Sequence, residues 1–255
     1  MRFSNRAGVT QLVECDLAKV DVAGSNPVSR SRRIPRFASP SKMISKPMRK
    51  SALVFLMAAT GLLAQYKSEP AGAPPSELSP AISQVLQQQG TKILSGSGAV
   101  VCEVWFSTKM PSGPAVNDQN ITLTVPQGAL LGAIRFTGPG ADRRGQAIKP
   151  GVYTLRYSLI PVNGDHQGAS PQRDFVALVP AADDKDPNAT PAFDALMAMS
   201  RKASGTPHPA VLSIWGAGAS DPAGFAKQGD SNDWALTTKI GDTPVSIILV
   251  GKFEG

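Results

Sequence analysis

The chain has two histidines, and both stand where a side chain could do chemistry. His166 lies in Gly164-Asp165-His166-Gln167-Gly168, next to a carboxylate and between glycines that permit an unusual backbone. His208 lies between Pro207 and Pro209, which stiffen its position. Imidazole changes charge near neutral pH and ligates divalent metals. Two chemistries are therefore open to the pair: a divalent metal held by His166 and His208, or an acid/base pair, in either case with Asp165 or Asp174 as the carboxylate partner. A mononuclear site on two imidazoles needs a third ligand. Because zinc-to-nitrogen distances are about 2 Å, the two rings must also come within about 5 Å of each other. The plainer reading has each histidine capping a turn or donating to a backbone carbonyl, and no H-x-x-x-H, H-E-x-x-H or C-x-x-C spacing argues against it. Arg173-Asp174-Phe175 opens a later apolar run, so the ligand-contacting set is His166, Asp165, His208, Arg173 and Asp174.

No residue is assigned a catalytic role. The chain contains no G-x-S-x-G, no phosphate-binding G-x-x-x-x-G-K-[ST] and no dinucleotide fingerprint placed between a strand and a helix. No cofactor follows from the residues beyond that divalent metal. Cys102 sits in an apolar run, Ala99 to Phe106, without an adjacent His or Lys, and reads as a small buried hydrophobe. Trp105, Trp215 and Trp234 lie in strand-like runs and read as core; a sugar-binding platform would need two such rings exposed on one flat face. The acidic stretch Pro180 to Pro187 lacks the ligand spacing of a calcium loop and reads as a solvated turn, and Asp142-Arg143-Arg144-Gly145 reads as a charged turn or structural ion pair.

These residues must be positioned by strands. Short apolar or alternating runs, separated by Gly, Pro, Asn and Asp, are expected at Lys92 to Leu94, Val100 to Ser107, Ile121 to Val125, Ala129 to Thr137, Gly151 to Ile160, Asp174 to Leu178, Ala210 to Trp215, Trp234 to Ile240 and Val245 to Phe253. Within Val152 to Tyr157, Tyr153, Leu155 and Tyr157 share one face, with Thr154 and Arg156 on the other, the pattern of a half-exposed strand. The expected fold class is mainly β, an antiparallel β-sandwich of jelly-roll type with one or two short helices. One helix is capped by Ser79 and opens on Pro80. The other is capped by Thr190, opens on Pro191, buries Phe193, Leu196, Met197 and Ser200, and ends at Gly205.

The charge is unevenly spread. The chain has 255 residues and a formal net charge of +7, but residues 1 to 64 hold 11 of the 26 basic residues and only 3 of the 19 acidic ones. The remainder carries 15 basic against 16 acidic and is close to neutral, which argues against nucleic acid as a partner. Met43 or Met48 begins a secretory signal: Lys46, Arg49 and Lys50 form its positive region and Ser51 to Ala64 its apolar one, too short for a spanning helix of about 20 residues. Cleavage after Ala64 is expected. The expected organisation is a non-coding or disordered extension at 1–42, a signal peptide at 43–64, a linker with a short helix at 65–90 and a β-sandwich domain at 91–255.

Two resemblances add to this. Residues 8 to 31 resemble the conceptual translation of a transfer-RNA gene, because Gly24-Ser25-Asn26-Pro27 back-translates as GGT TCG AAT CCC, the near-invariant T-arm, which implies a start codon assigned too early. Cys102 to Phe106, Gly151 to Tyr157, Gly164 to Gly168 with Arg173 to Phe175, and Ser200 to Thr206 with His208 to Val211 together resemble a family of exported bacterial proteins of unknown function, over about Ile93 to Gly255. That resemblance implies export and a shared fold and names no reaction. The expected role is an exported soluble binding or accessory protein in the periplasm or outside the cell. Its partner would be a small molecule, a glycan or an envelope protein, and it would touch a membrane only through an uncleaved signal segment. The alternatives are a periplasmic metal-dependent enzyme using His166 and His208, and a carbohydrate-binding module.

Overall fold

Runs of β-branched and aromatic residues cut by turn-forming glycines form a long antiparallel ladder in the computed structural model, which describes residues 66–114, 117–162, 172–229 and 231–253. In chain order the elements are β1 (Tyr66–Pro70), α1 (Pro80–Val85), β2 (Thr91–Ser95), β3 (Val100–Phe106), β4 (Leu130–Phe136), β5 (Gly140–Ala141), β6 (Ala147–Ile148) and β7 (Gly151–Leu159). There follow β8 (Asp174–Pro180), α2 (Phe193–Ser204), β9 (Val211–Gly216), β10 (Gly224–Lys227), β11 (Trp234–Ile240) and β12 (Thr243–Val250). Ten strands share one sheet in the order β1-β2-β3-β4-β7-β8-β9-β12-β11-β10, while β5 and β6 form a small hairpin of their own.

The fold is mainly β and antiparallel, as expected. In place of the separate sheets of a jelly-roll sandwich, one ladder curls round until its two edge strands meet. Strand β9 makes the corner: Val211 to Ser213 pair with β8, and Ile214 to Gly216 pair with β12. At the seam the Tyr66 ring of β1 packs edge-on against Phe225 of β10 and Trp234 of β11, with centroids 6.2 and 5.2 Å away. The curl encloses a continuous apolar core that includes Val104, Phe106, Ile134, Leu155, Tyr157, Val176, Leu178, Leu212 and Ile247. Close approach is needed at Gly132 of β4, where a Cβ would lie 2.4 Å from the Trp105 carbonyl oxygen of β3.

Most expected strands are present with slightly shifted ends, and three differences have physical causes. Residues 66–70 form β1 and pair with Thr91–Ser95, so the expected linker at 65–90 is in part a strand and the sheet begins well before residue 91. Ile121 to Val125 keeps the alternation of a strand, with Leu123 and Val125 in the core, but joins no ladder; Thr122 and Leu123 give their backbone N–H groups to the Asp174 carboxylate. The outward face of β7 is not exposed, because Thr154 and Arg156 are buried beneath the loop that follows β8.

The helices cover the outside of the sheet. Helix α1 starts as its sequence dictates: the Ser79 hydroxyl accepts from the Ile82 N–H at 3.2 Å, and Ile82 and Leu86 pack against Trp105, Leu130 and Ala133. Helix α2 lays Leu196 and Met197 on Phe175, Ala177, Val179 and Val211 of β8 and β9. Burying a side chain of that size stabilises by about 1.5–3 kcal/mol. Its N-cap is Ala192 rather than Thr190, since Pro191 is held outside the helix against Gly128. Gly205 closes the helix in the left-handed conformation at φ 71°, as expected.

Candidate functional site

A groove of about 400 Å³ on the outer surface is lined by three lysines from three elements. Lys149 stands in the turn between β6 and β7, Lys185 in the loop after β8, and Lys202 in the last turn of α2; Glu77, ahead of α1, lines the same groove. Each is held by neighbours rather than by its own packing. The Lys149 backbone donates to Ala203 at 3.1 Å, and its carbonyl accepts from the Tyr153 hydroxyl at 2.8 Å, tying the turn to α2 and β7. The Lys149 ammonium reaches the C-cap of α2, where a Cβ on Gly205 would lie 2.3 Å from Nζ. A cation is favoured there by the negative end of the helix dipole. Lys185 Nζ donates to the Ala181 carbonyl at 2.7 Å, and Lys202 meets Asp183 at 3.3 Å with both side chains largely exposed.

The loop that carries Lys185 is fixed from below. Arg156, 1% exposed, uses all of its guanidinium nitrogens: Nε and Nη2 each contact Asp184 at 2.7 Å, Nη2 also donates to the Asp186 carbonyl, and Nη1 donates to the carbonyls of Gly128 and Ala189. The Thr154 hydroxyl donates to the same Asp184 at 2.5 Å. The acidic stretch at 180–187 is therefore not simply a solvated turn, because Asp184 faces inward as the partner of a buried arginine. This leaves the lysines and the exposed Glu77 as the charged residues that line the groove.

The expected site residues do not gather into a site among the described residues. His166 and Asp165 lie outside them. His208 is exposed on the loop between α2 and β9, whose order comes from the backbone: its carbonyl accepts from Ser204 Oγ at 2.6 Å and its N–H donates to Thr206 Oγ1 at 3.1 Å. Asp174 opens β8, whereas the β8–β9 register, continued, places His208 level with Pro180 at the other end. Six strand residues separate those ends by roughly 20 Å, so Asp174 is not the carboxylate partner of His208. Among the described residues, no group of three or more His, Cys, Asp or Glu is placed to hold a metal ion.

Asp174 and Arg173 have structural partners instead. The Asp174 carboxylate is fully buried and accepts from the Thr122 N–H and hydroxyl, the Leu123 N–H and the Tyr157 hydroxyl, the last at 2.6 Å. Burial, reinforced by that hydrogen bond, pushes the Tyr157 phenol well above its ordinary pKa and keeps it a donor. Arg173 pairs with Asp118 at 2.5 Å and donates to the Ile160 carbonyl. The Asn120 backbone N–H and then Arg173 hold the Asp118 carboxyl below the usual range. The charged turn expected at 142–145 is likewise structural: Arg144 binds Asp142, and Arg143 binds Asp233.

Trp105 and Trp215 are buried, as expected, with indole N–H groups donating to Gly72 and Asp221. Trp234 meets Tyr66 at an interplanar angle of 66°, so these two rings do not share one flat face. Cys102 is fully buried, and desolvation followed by the charge of Glu103 pushes its thiol from 9.0 up to about 12. It should resist alkylation in the native protein and react only on unfolding, as site-resolved mass spectrometry after iodoacetamide at pH 8 would show; rapid native labelling would refute its burial. Because the folded pKa is the higher one, the stabilisation from the neutral thiol is present below pH 9 and is lost as pH rises from 9 towards 12.

Lys149, Lys185 and Lys202 could not be grouped from the sequence, since they lie on separate elements in no common period. Compared with known proteins, the chain matches no protein family, no curated protein and no solved structure.

Proposed function

We propose that the protein is an exported binding or accessory module that engages an acidic ligand through the groove of Lys149, Lys185 and Lys202. The observation that carries this reading is the contrast between that groove and the buried charged side chains. Asp174, Arg156, Asp184 and Asp142 are buried in structural hydrogen bonds, whereas Lys149, Lys185 and Lys202 line one open concavity whose described lining holds no histidine, serine or cysteine. The curled sheet is filled with apolar side chains, so binding belongs on its outer surface. The region after residue 64 is close to neutral, which makes the groove a local concentration of positive charge rather than an expression of net charge. Export rests on the signal-like segment from Met43 to Ala64.

The protein should be recovered from the periplasmic or extracellular fraction and should bind phosphocellulose through this groove. A Lys149→Gln, Lys185→Gln, Lys202→Gln variant should elute at clearly lower salt than a control with Lys109, Lys227 and Lys239 changed to Gln, which removes the same charge elsewhere. Equal elution of the two variants would defeat the reading.

A further inference from the structure

We infer that Gly251, Lys252 and Phe253, which follow β12, are a strap that holds the β5–β6 hairpin shut over one end of the curled sheet, and that hairpin and strap open together while the ten-stranded sheet stays paired. The hairpin cannot hold itself. Its ladder has two residue pairs, Gly140 with Ile148 and Ala141 with Ala147, and a hairpin that short is not stable alone in water. It is nevertheless a cover. Ile148 reaches the apolar core, Gly140 lies so close over the Phe136 ring that a Cβ would come within 2.8 Å of it, and Phe136, Ile148 and Tyr153 are each at most 4% exposed.

What keeps the hairpin closed comes from residues outside it. Asp142, 1% exposed, shapes the turn by accepting from the backbone N–H groups of Arg144 and Gln146 at 3.0 Å. The two arginines of that turn then reach different elements: Arg144 Nη2 donates to the Pro209 carbonyl ahead of β9 at 2.8 Å, and Arg143 Nε donates to Asp233 ahead of β11 at 3.0 Å. The strap closes on the second of them. The Phe253 N–H donates to the Arg143 carbonyl at 2.6 Å, and the Arg143 guanidinium stands 5.0 Å from the centre of the Phe253 ring. Trp234 pairs with Val250, which sets Gly251 beside Asp233, so close that a Cβ would lie 2.2 Å from Asp233 Oδ1 and 3.2 Å from its Cα. A side chain at 251 would push the carboxylate off Arg143. Asp233 Oδ1 is itself buried with no donor among the described residues, so the closed state holds an acceptor that water would satisfy in the open one. With so few tethers and one unmet acceptor, this end of the fold belongs among the segments that open locally, well below the free energy of global unfolding.

Native-state hydrogen–deuterium exchange of the purified protein, read by mass spectrometry, tests the strap. Peptides spanning 140–148 and 251–253 should exchange together, about 100-fold faster than those of β7 and β8. Gly251→Ala should speed both segments by about tenfold, the loss of one charge-assisted hydrogen bond, and leave the sheet unchanged. Phe253→Ala removes the ring but keeps the N–H donor and should speed both by about threefold. Lys252→Ala, at an exposed position, should change neither. Acceleration of 251–253 alone by Gly251→Ala would overturn the inference, because the strap would then hold nothing. Hairpin exchange as slow as that of β7 and β8 in the wild type, or equal acceleration of hairpin and sheet in the variant, would overturn it too, since the hairpin would then open only with the whole fold. Should Gly251→Ala fail to fold, Phe253→Ala is read by the same comparison.

Discussion

Replacing Arg156 by methionine is expected to lower the free energy of unfolding by about 3–5 kcal/mol, because removing one partner of a buried ion pair leaves the other charge uncompensated. The geometry places this loss at the upper end. Asp184 would lose both arms of a bidentate contact, and the carbonyls of Gly128, Asp186 and Ala189 would each lose a donor. Urea unfolding at pH 7 is the measurement, and a loss below about 1 kcal/mol would show that the network contributes little net stability. The double variant Arg156→Met, Asp184→Leu should recover only part of the loss. Apolar replacement of both charges removes the desolvation penalty but not the need of those three carbonyls and of Thr154 for partners. The loop at 181–191 should become protease-sensitive before the sheet unfolds, and binding at the groove should weaken because Lys185 is carried on that loop.

The same network shows where the sequence was legible and where it was not. The alternation of Val152 to Tyr157 correctly places Tyr153, Leu155 and Tyr157 on the core face. It also suggests that Arg156 faces solvent, since a charged residue at an outward position is normally wet. What buries it is a loop whose acid lies 28 residues later, and no local pattern couples the two. The edge strands fail to register for a related reason. Tyr66-Lys67-Ser68-Glu69-Pro70 and Gly224-Phe225-Ala226-Lys227 are short and charged, and one ends in proline, features that protect a sheet edge from unwanted pairing and also erase the signal of a strand. Helix α2 and its apolar stripe were readable because a helix of that length must bury one face to persist, whereas its first residue depended on a tertiary contact between Pro191 and Gly128. The lysine groove illustrates the limit more sharply. Three exposed lysines on a turn, a loop and a helix end are individually ordinary, and only the pairing of β7 with β8 and the packing of α2 on β8 bring them to one groove.

Asp174 separates a structural role from a binding role, and the second large expected effect follows from it. Asp174→Asn preserves the shape of the side chain but turns one accepting oxygen into a donor, opposite the Thr122 N–H and hydroxyl on one side or the Leu123 N–H and Tyr157 hydroxyl on the other. Whichever way the amide sits, donors face donors in a site with no exposure, and destabilisation of about 3 kcal/mol or more is expected. Tyr157→Phe removes the single O–H donor that faces both Asp174 and the Leu123 carbonyl and should cost about 1–3 kcal/mol. If the carboxylate serves mainly to hold the segment around Leu123 in the core, the two changes should be strongly non-additive in a double-mutant cycle, with a coupling of about 1–3 kcal/mol between residues in direct contact. Additive effects would indicate that Tyr157 and Asp174 act separately. A stable Asp174→Asn protein would show that the fold does not need this carboxylate and would reopen Asp174 as a ligand-binding residue.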